Sequence, residues 1–270
     1  MIGLVLGETQ LGKIIIKKLD ILKKKYLIID ISSKRLFKKK KNSYKLSVGQ
    51  LGKAFALLKK NNCKKVIFAG KVSRPNFSKI KLDFKGIYYL PKIIKSSKIN
   101  DASIINVVIN IFKNEGFKII KSTFFNPELL LKGRCTKTIP SSLNKKDILK
   151  AKKTILNLNK DNIGQGIIVR NGHIIALEGV DGTDAMLSRA YKIINNFYNK
   201  NKKEGVLLKF PKKNQDLRVD LPTIGIKTVK KCISIGLKGI VVKSNANIFL
   251  DKAKCIKEAN KKNFFILGIW

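Results

Sequence analysis

Gly3-Leu4-Val5-Leu6-Gly7-Glu8-Thr9-Gln10-Leu11-Gly12, answered at Tyr26-Leu27-Ile28-Ile29-Asp30-Ile31, is the stretch whose reading decides the fold. Residues 3–6 and 26–31 are short apolar runs of strand length, and residues 11–24 between them repeat their apolar positions with a helical period. The same alternation continues outward, with a helix over 48–60, a strand over 65–69, a helix over 101–114 and a strand over 117–120. Strands separated by helices argue for a parallel sheet with covering helices, because a parallel return needs a crossover longer than a turn. The turn at 7–12 lacks the Gly-x-Gly-x-x-Gly spacing, and Glu8 would repel a pyrophosphate brought against the backbone. It reads as a tight strand-to-helix turn, and a nicotinamide dinucleotide is not indicated.

Residues 131–153 carry Gly133, Pro140 and paired serines before a lysine-rich helix start, and are read as a connector. Beyond it a second α/β pattern follows: a helix over 146–158, strands over 166–170 and 173–177, a helix over 184–200 and a strand over 206–210. A helix over 227–235, strands over 240–242 and 248–250, a helix over 252–261 and a strand over 264–267 complete it. Asn171-Gly172 between two apolar runs is a strong short-range hairpin signal, since both residues tolerate positive φ. The expected architecture is therefore α/β in two domains, an N-terminal Rossmann-like domain over 1–132 and a mixed α/β domain over 133–270 that carries the catalytic motifs. Ligands of open α/β sheets collect at the carboxyl ends of strands. Lys71 and Arg74, just past the strand at 65–69, read either as groups that reach a cleft between the domains or as part of a plain exposed loop.

The 270 residues hold 58 Lys and Arg against 17 Asp and Glu, a formal charge of +41. That surplus is lysine: 52 against 6 arginines, with the bidentate anion reader of the pair scarce. It reads as drift on solvated faces rather than as a nucleic-acid interface, and nucleic acid is not an expected partner. The rival reading is a non-catalytic basic protein that binds nucleic acid or an anionic surface through charge alone. Cys63, Cys135, Cys232 and Cys255 form no Cys-x-x-Cys pair and stand apart from the single histidine, His173, so neither a zinc cage nor a disulfide scaffold is indicated. They read as buried thiols of a reducing compartment. No run reaches membrane-span length. A cytoplasmic location is expected.

Six of the scarce acids, Glu178, Asp181, Asp184, Glu204, Asp216 and Asp220, fall within 43 residues. If 216–220 is extended, Asp216, Arg218 and Asp220 at steps of two face one side, and both carboxylates meet one cation. Lys209, Lys212, Lys213 and Arg218 add the positive charge that a metal-bound phosphate ester needs, the plainer alternative being a surface loop rich in turn residues with incidental ion pairs. Gly179 and Gly182 lead into a helix start at Thr183 or Asp184, which reads either as a phosphate cradle or as a plain cap.

Gly70-Lys71-Val72 with Arg74-Pro75, Gly116-Phe117, Pro127-Glu128-Leu129-Leu130 and Gly164-Gln165-Gly166 join two longer motifs. These are Glu178 with Gly182-Thr183-Asp184-Ala185-Met186-Leu187, and Gln215-Asp216 with Arg218, Asp220-Leu221-Pro222 and Ile224-Gly225. In this order they resemble the LpxI family, UDP-2,3-diacylglucosamine diphosphatases of lipid A synthesis, along essentially the whole chain. The resemblance implies an acylated UDP-sugar held between two α/β domains and hydrolysed to lipid X and UMP. It also implies a divalent cation, Mg²⁺ or another such as Mn²⁺, with Asp220, Asp216 and Asp184 as the ligand candidates. Asp220 is the first choice for the critical aspartate and Asp216 the second, with Lys209 and Arg218 steadying the transition state. Gly182, Thr183, Gln165, Gln215, Lys71 and Arg74 are the expected substrate-binding set. Peripheral contact with the inner membrane is implied by the acyl chains, and a homodimer is left open. Two positions depart from the family pattern: the first turn lacks paired glycines, and Asp181 stands where Glu is more common.

Overall fold

The computed structural model describes residues 1–72, 80–98, 101–161, 163–199 and 202–270. They group into two compact units, Met1–Pro127 with Asp216–Asp220, and Glu128–Gln215 with Leu221–Trp270. The first unit opens β1 (Ile2–Leu6), α1 (Gln10–Ile21), β2 (Tyr26–Asp30), β3 (Ser43–Lys45), α2 (Leu51–Lys60) and β4 (Lys65–Ala69). It continues with α3 (Phe84–Ser97), α4 (Asp101–Asn114) and β5 (Lys118–Ile119). The strands form one sheet in the order β3-β2-β1-β4-β5, every pair parallel, which is the strand order of a Rossmann half with its crossover at β1. Leu4 of the central strand registers with Ile28 on one side and Ile67 on the other, all fully buried. Both faces are covered, so the strands read as continuous apolar runs rather than alternating ones.

The 7–12 segment is the tight turn that its residues suggest. A Cβ on Gly7 would stand 2.3 Å from the Lys71 carbonyl oxygen, so only glycine lets β1 and β4 leave the sheet so close together. Glu8 is taken up by Ser33, whose backbone N–H (2.9 Å) and hydroxyl both donate to it. Asp30 at the end of β2 accepts from the Ser32 amide and hydroxyl and from the Phe37 amide.

Two elements of the first unit escape the sequence pattern. β3 is a three-residue polar edge strand, and α3 contains Gly86 and an internal Pro91, both unfavourable in helices. Asp83 explains why α3 forms nonetheless. Its carboxylate accepts from the Gly86 amide (2.9 Å) as the N-cap of α3, and from the Gly52 (3.1 Å) and Lys53 (2.8 Å) amides in the first turn of α2. One side chain thus caps two helices. Burial pushes this carboxyl up, but the three amides outweigh it and hold it below the ordinary aspartate value. Asp83→Ala is expected to cost about 2 kcal/mol in urea unfolding near neutral pH, twice a single cap. The cap contributes above the unfolded aspartate pKa and is lost as pH falls through the depressed folded value. A loss under about 0.5 kcal/mol, no larger than an ordinary surface change, would contradict the double cap.

The second unit contains α5 (Ser142–Leu158), β6 (Gly166–Arg170), β7 (His173–Leu177), α6 (Gly182–Phe197), β8 (Val206–Lys209) and β9 (Thr223–Ile224). α7 (Ile226–Ser234), β10 (Gly239–Lys243), β11 (Ile248–Phe249), α8 (Lys252–Lys261) and β12 (Phe265–Ile269) follow. α5 begins earlier than its lysine pattern suggests because Ser141 and Asn144 form a reciprocal capping box. The expected helix end at Lys200 lies outside the described residues. The main sheet runs β12-β10-β8-β6-β7, with β12, β10 and β8 parallel and β6 antiparallel to both of its neighbours, β8 and its hairpin partner β7. A short parallel pair, β9 with β11, stands apart from it. Cys232 and Cys255 are fully buried, and Cys63 nearly so; burial pushes the Cys255 thiol up to about 12 and that of half-buried Cys135 to about 11.

One boundary needs correction. A cut between 132 and 133 puts 216–220 in the C-terminal domain, yet these residues pack with the first unit, where half-buried Val219 joins the core of Val5, Phe55 and Phe112.

Candidate active site

In the first unit the relevant residues are 216–220. They are not extended: the Val219 and Asp220 amides both donate to the Asp216 carbonyl, at 3.1 and 2.9 Å, which makes a turn. The Arg218 amide donates to Asp216 Oδ1 (2.9 Å), the two-residue Asx-turn bond that competes with a strand. The Arg218 guanidinium then closes on the same carboxylate, its Nε at 2.9 Å from Oδ1 and its Nη2 on Oδ2. The expectation that Asp216, Arg218 and Asp220 share one face of a strand is therefore corrected. Hydrogen bonds from Arg218 hold the Asp216 carboxyl below the usual carboxylate range, against the opposing pull of burial. The Arg218 carbonyl accepts from the Ser122 amide (2.7 Å), which anchors the turn to the segment after β5. Asp220 is half-buried on that turn. Lys71 is exposed at the carboxyl end of β4, and Arg74 lies outside the described residues.

In the second unit the polar groups collect at the carboxyl end of β8. Lys209 is 4% exposed and Glu178 5%. Their Nζ and Oε2 are 3.4 Å apart, and the Lys209 ammonium donates to the Thr183 hydroxyl oxygen. Lys209 therefore turns its charge inward to Glu178 and Thr183, not outward as a free surface cation. α6 opens at Gly182, whose φ of +83° suits glycine, with Asp181 at the cap position but making no side-chain cap bond. This corrects the expected start at Thr183 or Asp184. Asp181 instead pairs with Arg189. Asp184, its side chain 82% exposed, lies 3.4 Å from Lys231.

Gln165 lends its carbonyl to the Phe210 amide (2.9 Å), and its buried Oε1 has no hydrogen-bond partner among the described residues. Gln215 closes its own turn, its side-chain oxygen accepting from the Lys212 amide (3.0 Å) and its own amide donating to the Lys212 carbonyl (3.2 Å). The sequence reading missed Asn247 beside this cluster. It is fully buried and donates to the Lys209 carbonyl (3.2 Å), with Oδ1 left without a partner among the described residues. It also gave Glu178 no role beyond membership of an acidic run and of one motif of the family resemblance, although Gly164-x-Gly166 carries the trace of one.

Among the described residues no three His, Cys, Asp or Glu side chains converge as a protein cage for a metal ion would require. Magnesium asks for less, usually one or two carboxylates with water and substrate phosphate oxygens completing its octahedron. Asp220 is a half-buried carboxylate of the kind such an ion takes. Arg218 holds both oxygens of Asp216, and Asp184 lies beside Lys231.

Fold and site together define a two-unit α/β protein whose polar chemistry sits on one Asp-Arg turn and at one strand-to-helix edge. A family model described as the LpxI N-terminal domain matches residues 1–129, and one described as the LpxI C-terminal domain matches 131–267. The chain is 35% identical over 226 residues to the UDP-2,3-diacylglucosamine pyrophosphatase LpxI of Caulobacter vibrioides, covering 83% of this chain and 81% of that protein. The chain belongs to the LpxI family.

Proposed function

We propose that this protein hydrolyses the pyrophosphate of UDP-2,3-diacylglucosamine in lipid A synthesis, giving 2,3-diacylglucosamine 1-phosphate (lipid X) and UMP. The observation that carries the reading is the likeness, over more than four-fifths of the chain, to a relative named for that activity. The chemistry is in keeping with it. A water oxygen forms a bond to phosphorus as the bridging P–O bond breaks, and the departing phosphate takes the electron pair. Such a step requires a placed water and offset charge rather than a covalent nucleophile.

Asp220 is the proposed residue at the reacting phosphate, as holder of Mg²⁺ or of the attacking water. Bound there, the ion would neutralise phosphate charge. Arg218, fixed by Asp216, offers a planar donor fork to phosphate oxygens through whatever part of it Asp216 leaves free. Thr183 and the first amides of α6 are a second phosphate-binding group, since the leading N–H groups of a helix lack intrahelical partners and carry partial positive charge. Asp216 and Lys209 become positioning residues in this scheme. The substrate's acyl chains belong in a bilayer, and peripheral contact with the membrane is part of the proposal. Among the described residues no helix is long and apolar enough to cross one.

The test is release of UMP from the UDP-sugar by the purified protein, with Mg²⁺ and with excess chelator. Turnover that falls at least about 100-fold on chelation and returns with Mg²⁺ is expected, the scale of losing a charge-stabilising group. Turnover indifferent to chelator removes the metal from the scheme. No turnover, with anion affinity that collapses with salt, returns the basic surface as the protein's business.

A further inference from the structure

We propose that Glu178 is a positioning residue for the phosphate-binding hydroxyl of Thr183, acting through Lys209. This rests on the diphosphatase reading and adds to it a group that contacts no substrate.

An ammonium buried to the extent of Lys209 is costly without a compensating charge, and Glu178 at 3.4 Å supplies it. So held, Lys209 donates to Thr183 Oγ1. A threonine hydroxyl has one proton and two acceptor sites. With the lysine filling one acceptor site, its proton is directed away from Lys209. Thr183 is half-buried in the first turn of α6, so that proton can join the first-turn amides beyond Gly182, which have no partner within the helix, in donating to a phosphate oxygen. Because the buried Lys–Glu pair is neutral as a unit, what it contributes is orientation rather than net positive charge.

The glycines of Gly164-Gln165-Gly166 are explained by the same residue, Gly166 by its carboxylate and Gly164 by its main chain. A Cβ on Gly166 would lie 2.4 Å from Glu178 Oε2 and 3.2 Å from the Met186 side chain. At Gly164, with φ +61°, it would lie 2.7 Å from the Glu178 carbonyl oxygen. The Glu178 amide donates to the Gly166 carbonyl at 2.8 Å. The motif leaves room for Glu178 on both its backbone and its side-chain face. It need not touch a ligand to be required.

The experiment is a cycle of wild type, Glu178→Gln, Thr183→Val and the double variant, with Gly166→Ala as a separate steric displacement of Glu178. Each is read by kcat/KM on the UDP-sugar, by UDP binding in a calorimeter and by thermal unfolding. Glu178→Gln and Gly166→Ala should each lower kcat/KM about 10- to 100-fold and weaken UDP binding. Glu178→Gln should add less than about 2-fold once Thr183 is valine. A fifth protein, Glu178→Gln with Lys209→Met, removes both buried charges and should recover stability without recovering activity or UDP affinity.

The proposal is overturned if Glu178→Gln leaves kcat/KM and UDP affinity within about 2-fold of wild type, if its loss multiplies fully with that of Thr183→Val, or if the charge-free pair regains function along with stability. A wild type that binds UDP but does not turn over the sugar would sink the diphosphatase reading. The UDP arm of the cycle would still decide the role of Glu178.

Discussion

Asp220→Asn is expected to leave a folded protein that binds its UDP-sugar and turns it over about 1000-fold more slowly, a loss of about 4 kcal/mol of transition-state stabilisation. The substitution keeps the shape of the side chain and removes only the charge and half of its acceptor capacity. The turn survives because the bonds that make it are main-chain ones, from the Val219 and Asp220 amides to the Asp216 carbonyl. Asp216→Asn should behave differently. Asp216 holds Arg218, so its loss frees the guanidinium and reduces stability as well as rate. The sign with pH follows from the depressed Asp216 carboxyl. Its clamp contributes fully above the unfolded aspartate value near 4, and the contribution disappears as pH falls through the lower folded value. Thermal unfolding of wild type and Asp216→Asn should therefore differ at neutral pH and converge in acid, while Asp220→Asn shows its main effect in kcat at every pH where the wild type works. Full turnover by a folded Asp220→Asn protein would remove this residue from the reacting phosphate.

The difference between these two aspartates is what the sequence could not reveal. Asp216, Arg218 and Asp220 at steps of two are compatible with a strand, but an aspartate two residues before an N–H is equally the pattern of an Asx turn. The Arg218 side chain and the Ser122 amide decide between them, and the second of these comes from 96 positions earlier in the chain. Elements set by local pattern were legible: the Asn171-Gly172 hairpin and the parallel strands of the first unit follow from turn chemistry and apolar runs. α3 was not, because Gly86 and Pro91 speak against a helix and the cap that offsets them serves a second helix 30 residues away. Lys209 and Thr183 were named as separate candidates, whereas their joining through Glu178 depends on which strand ends the sheet brings together. Such pairings lie in the topology, and a single chain shows them only indirectly, here as a glycine, Gly166, where a carboxylate must be admitted.

Arg170→Met is expected to cost about 3–5 kcal/mol, the range for stranding one partner of a buried charged network. Arg170 is 1% exposed at the end of β6 and donates to the carbonyls of Gly236 (3.2 Å), Asn199 (2.9 Å) and Lys202 (2.6 Å). Glu204 lies 3.8 Å away, and the guanidinium rests over the Tyr198 ring. Methionine fills part of the volume but leaves three carbonyls without their donor, while Glu204 keeps Lys202 (3.0 Å) and Asn171 (2.8 Å), and a fall in Tm of about 10 °C or more should follow. Asp147, which accepts from the Asn171 (3.1 Å) and Gly172 (2.7 Å) amides, holds the same hairpin corner and is not sufficient alone. Activity separates this role from that of Glu178. Arg170 and Gly166 stand four residues apart on β6, about 13 Å along an extended strand, at opposite ends of the sheet. Well below its Tm, the folded fraction of Arg170→Met should therefore keep wild-type kcat/KM, whereas Glu178→Gln should lose it even when fully folded. If Arg170→Met impaired turnover without lowering Tm, the buried arginine would belong to the chemistry, and the division between the two ends of β6 would be wrong.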